Sequence, residues 1–270
     1  MAIEDEQGRP SSCVDVFLSC SRAIADGVLI RRVSRGDKEF HFQNWVTARL
    51  ADANLAHDPP RRNLYPDFTL VNFPEGYEVK GLAYPGREAT YDSNSRVPSG
   101  LHNGRTIFYV FGRYPPETAG DDTYPVVDLV LCHGDFINAD HDYVHKNRNF
   151  RCFGSYGDVM VRDRKMYVAP TPFNLTVGTT GQQTLIVPAG FRIEDERLQQ
   201  VGEFSRLEAD NLVVGYSFDL IKNVLDPQLV PNPNAGREHR IAAYRRRGVG
   251  VGEVSLQPKV TVEEPDDDEE

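Results

Sequence analysis

The sequence predicts an α/β fold, a mixed central β-sheet flanked by helices with a β-rich accessory region, and three observations predict it. Apolar residues recur at helical spacing up to about residue 54. Apolar and aromatic runs of strand length follow, at Thr106-Ile107-Phe108-Tyr109-Val110-Phe111 and, interrupted by Asp128, from Val126 to Cys132. Beyond residue 170, Pro, Gly and Asn breaks separate short apolar runs.

The elements follow in order. Residues 13–33 read as a helix with Phe17, Leu18, Ile24 and Val28 on its apolar side. Residues 38–54 give a second, stronger one through Phe42, Trp45, Val46, Leu50 and Ala53, ended by Asp58-Pro59-Pro60. Two short runs joined by Asn72-Phe73-Pro74-Glu75-Gly76 read as a β-hairpin. A loop over 83–103 leads into the two central strands. Residues 158–168 form a weaker strand, and Leu185-Ile186-Val187 and Leu212-Val213-Val214 are strands of the accessory region. The domain reading is 1–169 as core, 170–258 as accessory region and 259–270 as a disordered acidic tail.

No apolar stretch approaches the roughly 20 residues of a membrane span. The acidic start is the wrong charge for a signal peptide, and four cysteines without C-x-x-C spacing suit a reducing compartment, so the expectation is cytoplasmic. The net charge of −10 is concentrated at one end. Seven of the forty acidic residues fall in the last nine positions, and the rest of the chain carries 33 acids against 30 bases. A nucleic-acid partner is therefore compatible with the composition.

The hairpin carries charge where strands are usually apolar. Asp67 starts the first run, and Glu78-Val79-Lys80 lies at the heart of the second. Buried charges persist when they are paired or hold metal. Glu78 and Lys80, two apart, share a face, and any odd register sum puts Asp67 on it too. A tight Pro74-Glu75 turn would leave Asp67 and Glu78 about 13 Å out of step, whereas a looser loop over 71–74 brings them opposite each other. Two carboxylates converging beside a Lys make a magnesium site with a cation next to an attacking water.

The stretch from Pro66-Asp67 to Glu78-Val79-Lys80 resembles the PD-(D/E)XK nuclease superfamily. The resemblance covers residues ~38 to 132 and implies a restriction-endonuclease-like core. It implies Asp67, Glu78 and the Val79 carbonyl as ligands of Mg²⁺, with Mn²⁺ able to substitute, and Lys80 as the group that positions or activates the nucleophile. It also implies double-stranded DNA as substrate. A free-standing chain of this size without a P-loop suits a type II restriction enzyme, a homodimer whose sites a cognate DNA methyltransferase would protect. A repair or junction-resolving nuclease shares the chemistry. An acidic binding module or nuclease inhibitor, in which the motif is coincidental, is the non-enzymatic alternative.

Glu39, in the helix before the hairpin, is the candidate further carboxylate, although a solvated Glu at a helix start, favoured by the helix dipole, is the better account of Glu39 taken alone. The 83–103 loop and its exit carry Ser93, Asn94, Arg96, Asn103 and Arg105, side chains suited to phosphates and base edges. Arg148, Arg151, Arg162, Arg164 and Lys165 make one basic zone and Arg245-Arg246-Arg247 a second. Residues 170–258 would add DNA contacts or the dimer surface. His133, Asp135, Asp140, His141, Asp142 and His145 match no metal-binding spacing and read as a polar loop.

Overall fold

The structure, a computed structural model, describes residues 3–32, 38–58, 65–86, 88–94, 97–115, 122–139, 156, 160–163, 166–219, 221, 224–248 and 256–258. Two helices, α1 (Cys13–Ala25) and α2 (Lys38–Asp52), precede a large sheet. Its strands are β1 (Phe68–Thr69), β2 (Glu75–Ala83), β3 (Arg105–Tyr114), β4 (Asp128–His133), β5 (Gln183–Pro188), β6 (Leu198–Leu207) and β7 (Glu238–Arg246). They lie in the order β6-β7-β5-β4-β3-β2-β1, and Leu101–His102 pairs with the start of β3 to complete eight strands. The sheet is mixed: β2–β3 and β4–β5 are parallel, the other pairs antiparallel. The chain is therefore mixed α/β, as expected, but richer in strands than predicted. No helix among the described residues is long and apolar enough to cross a membrane.

The two faces of the sheet are covered differently. Tyr77, Val79, Phe108, Val110, Leu129, Leu131, Leu185 and Val187 face α1 and α2 in one core. Ile107, Tyr109, Phe111, Val130, Cys132, Ile186, Ile241 and Ala243 face a second core closed by Tyr91, Tyr167, Phe136 and neighbouring residues. Helices were expected to flank the sheet, but both long ones lie on a single face. The opposite face is covered by a three-stranded sheet in which Met166–Pro170 pairs with Thr90–Asn94 and with Met160–Asp163. The expected 83–103 loop therefore contains a strand. Its sequence, Thr-Tyr-Asp-Ser-Asn, is polar, and alternation sends Tyr91 and Ser93 inward.

Both helices stop earlier than their apolar patterns suggest, for the same reason. Val28 N–H bonds to Ala23 O (2.8 Å) and Gly27 N–H to Ile24 O (3.1 Å), with Gly27 in left-handed geometry at φ 70° closing α1. Asn54, at φ 57°, closes α2 through the equivalent bonds from Leu55 to Leu50 O and from Asn54 to Ala51 O. The Asp58-Pro59-Pro60 stretch is not needed for that.

α2 docks through Phe42 onto two glycines paired across β2 and β3, Gly81 and Gly112. A Cβ on Gly112 would fall 2.1 Å from the Phe42 ring, so the close approach requires its absence. This contact fixes the back of the strand whose front carries Glu78 and Lys80.

Three of the sheet's strands come from residues 183–246, so that stretch shares one sheet with β1–β4. Asn211–Asp219 and Val224–Pro231 form a separate two-stranded hairpin. Residues 259–270 lie outside the described residues. Cys13, Cys20 and Cys132 are buried free thiols, and burial pushes Cys20 up to about 12.

At the start of β2, Glu75 is buried against the N-terminus of α1. Its carboxylate accepts from Ser12 N–H (3.1 and 3.2 Å), from the Ser12 hydroxyl and from Tyr77 OH (3.1 Å). Burial raises its pKa above the usual carboxylate range despite these donors. The folded chain thus holds this proton at pH values where the unfolded chain has released it. The stabilisation is complete below the ordinary carboxylate pKa and is lost as pH rises through the folded value. Urea unfolding at pH 5 and pH 8 is expected to show a loss of stability with rising pH that Glu75→Gln reduces. An unchanged pH dependence in the variant would assign the effect elsewhere.

Candidate active site

The hairpin register decides which residues meet. Phe68 pairs with Tyr77 and Thr69 with Gly76, while Leu70 N–H closes the loop on Glu75 O at 3.1 Å. The turn is the looser one over 71–74, and the tight Pro74-Glu75 turn does not form. Continuing this register by one residue places Asp67 opposite Glu78. Gly76 contributes by lacking a side chain: a Cβ there would fall 2.3 Å from Pro66 Cγ, so Pro66 lies directly over the strand and brings Asp67 with it.

The two acids are interlocked with the opposing backbone. Asp67 Oδ2 accepts from Val79 N–H at 2.7 Å, and Glu78 Oε2 accepts from Asp67 N–H at 3.2 Å. Glu78 Oε1 lies 2.6 Å from Lys80 Nζ, with the two side chains 10% and 19% exposed. An ion pair so shielded from water is stronger than a surface one. The Val79 N–H points toward β1, and its carbonyl shares that direction because the N–H and C=O of an extended residue lie on the same edge. Hard oxygen donors from Asp67, Glu78 and Val79 thus lie at the end of one short hairpin.

An aromatic wall backs this group and was not picked out from the sequence. Tyr109 pairs with Glu78 across β2 and β3, its hydroxyl bonded to Tyr65 OH at 2.7 Å. Lys80 Nζ lies 5.9 Å from the Tyr91 ring centre, and Tyr65 stands edge-on to His102 at 5.2 Å. Desolvation drives the Tyr109 pKa well above its ordinary value, with Tyr65, Tyr91 and Glu78 adding to it, so Tyr109 is a neutral hydroxyl. Tyr65 could have been noticed because it directly precedes Pro66-Asp67. Tyr109 looked like any residue of a buried strand.

Of the remaining candidates, some are described and take other roles, and the rest fall outside the described residues. Ser93 is buried at 3% exposure. Asn103 is exposed in a left-handed turn at φ 50°. Arg105 donates from one guanidinium nitrogen to Leu70 O (3.0 Å) and Phe73 O (3.1 Å), bracing the hairpin loop. Glu39 is in the first turn of α2, and α2 packs on the sheet face opposite Glu78 and Lys80. Asn94 and Arg162 lie on strands of the three-stranded sheet. Arg96, Arg148, Arg151, Arg164, Lys165 and the acidic and histidine positions 140–145 lie outside the described residues. His133 Nδ1 accepts from Asp135 N–H (3.2 Å), capping the short turn after β4.

Among the described residues no group of three or more His, Cys, Asp or Glu side chains is placed to hold a metal ion. Mg²⁺ commonly uses one or two carboxylates and completes its shell with water and substrate phosphate, so Asp67, Glu78 and the Val79 carbonyl fit it in kind. No family model, curated protein or solved structure matches this chain.

Proposed function

We propose that this protein is a Mg²⁺-dependent endonuclease acting on double-stranded DNA, most simply a type II restriction enzyme working as a cytoplasmic homodimer. The observation that carries the reading is the hairpin register that sets Asp67 opposite Glu78, with Lys80 Nζ 2.6 Å from Glu78 Oε1. The same geometry serves a repair or junction-resolving nuclease.

Each residue has a task in this chemistry. Asp67 and Glu78 would hold the divalent ion with the Val79 carbonyl, and their backbone hydrogen bonds fix both carboxylates before substrate arrives. A Mg²⁺ ion held there would supply positive charge to the phosphate as it is attacked and to the leaving oxygen. The Lys80 ammonium donates a hydrogen bond to the attacking water and steadies negative charge as it develops. Tyr91 and Tyr109 form the low-dielectric wall behind Lys80 that strengthens both interactions.

One observation favours a second reading. Each carboxylate accepts a backbone N–H from the opposite strand just where the β1–β2 ladder ends. That is also how a purely structural hairpin would seal its end, with Lys80 neutralising Glu78. The chain would then be a binding module or a nuclease inhibitor. Incubation of the purified protein with plasmid DNA and Mg²⁺ separates the two. Discrete fragments that disappear with EDTA are expected, and intact DNA across a panel of plasmids with Mg²⁺ and Mn²⁺ would reject the nuclease reading.

A further inference from the structure

Arg22 in the last turn of α1, Arg197 just before β6, and Arg246 and Arg247 at the end of β7 surround a cavity of 260 Å³ floored by Leu18. These residues converge because Leu198 pairs with Arg246, Arg247 N–H bonds to Arg197 O at 2.8 Å, and Arg247 Nε donates to Leu198 O at 2.9 Å. Arg197 is already engaged: its guanidinium grips Asp195 at 2.9 and 2.6 Å and lies 3.9 Å from Asp15. No described carboxylate pairs with Arg22, Arg246 or Arg247.

That is unexpected in a chain with forty acidic residues and a net charge of −10. Cations gathered around one cavity repel each other, and a multivalent anion placed between them relieves the repulsion. The planar guanidinium fork matches the paired oxygens of a phosphate. A cavity of 260 Å³ is below the roughly 300–1,000 Å³ of pockets for drug-sized ligands, which suits one or two phosphate groups. Arg246 lies on the helical face of the sheet, since it alternates with Ala242 and Tyr244 on β7, whereas Glu78 and Lys80 lie on the other face. Four strand spacings, about 19 Å, also separate β7 from β2. The cavity is not part of the Asp67–Glu78–Lys80 site.

We infer that this arginine-lined cavity is a phosphate-binding site, filled by a small diphosphate-bearing ligand or by a phosphate of a nucleic acid. Titration calorimetry on the full chain with inorganic pyrophosphate, and separately with a short DNA duplex, tests it. EDTA in both titrations removes any contribution from divalent metal. Arg22→Ala and Arg246→Ala remove guanidinium groups that pair with no carboxylate among the described residues, and Arg192→Ala, which removes an exposed arginine paired with Glu4, is the control. Pyrophosphate binding that weakens about tenfold or more in each cavity variant, and not in the control, is expected. If only the duplex binds, with the same losses, the phosphate belongs to nucleic acid and the site stands. Absence of binding to either probe, or losses no greater than in Arg192→Ala, would overturn the inference.

Discussion

Asp67→Asn, Glu78→Gln and Lys80→Ala are each expected to lower DNA cleavage by roughly 10²–10³-fold or more, the scale of losing one preorganised electrostatic group. The two amide variants keep an oxygen for the Val79 and Asp67 N–H groups, so the hairpin's backbone bonds survive while the negative charge goes. The three variants should divide by mechanism. Loss of either carboxylate should abolish Mn²⁺ binding measured by calorimetry, while Lys80→Ala should retain it and lose turnover. All three should still bind DNA, because substrate contacts lie outside this group. Near wild-type turnover in any one variant would remove that residue from the mechanism.

The second large effect concerns stability. Arg113 and Asp128, 3% and 0% exposed at the side chain, face each other across β3 and β4. Arg113 Nε donates to Asp128 Oδ1 at 2.8 Å, a second nitrogen donates to Oδ2, and Gly181 N–H adds a bond to Oδ2 at 2.8 Å. The guanidinium is sandwiched between Tyr84 and Phe173, 4.0 and 4.1 Å from their ring centres. Asp128→Ala strands a buried cation and is expected to cost about 3–5 kcal/mol, a large part of an ordinary domain's stability. Urea unfolding measures it. Arg113→Met combined with Asp128→Leu should recover much of the loss, since the stranded charge is gone and only the Gly181 N–H is left without its acceptor. A double variant no better than Asp128→Ala would mean that packing around Arg113, rather than its charge, supplies the stability.

Much of the architecture was legible in the chain. The 106–111 and 126–132 runs announced central strands because a strand covered on both faces has no polar side. The hairpin and the shared face of Asp67, Glu78 and Lys80 follow from alternation alone. The register did not, because 71–74 accommodates more than one turn and a shift by an even number of residues leaves the faces unchanged. The apolar pattern over 13–33 outlasts the helix itself, because it runs past Gly27, whose left-handed backbone ends α1. The strand Thr90–Asn94 was hidden by polar composition, its burial decided by a partner some seventy residues away. Arg22, Arg197, Arg246 and Arg247 could not have been grouped by spacing, since only the sheet brings them together.

The place of β4 in the sheet matters while the chain is being made. All six of its residues, Asp128–His133, are buried, and β5 begins only at Gln183. At about 5–20 residues per second, the ribosome takes on the order of several seconds to deliver that partner. For that interval the half-sheet β1–β4 ends in an open edge lined by Leu129, Val130, Leu131 and Cys132, a template for pairing with another chain. Production of this protein is therefore most vulnerable to aggregation midway through translation, and slower growth temperatures or a holdase chaperone would protect it at that stage.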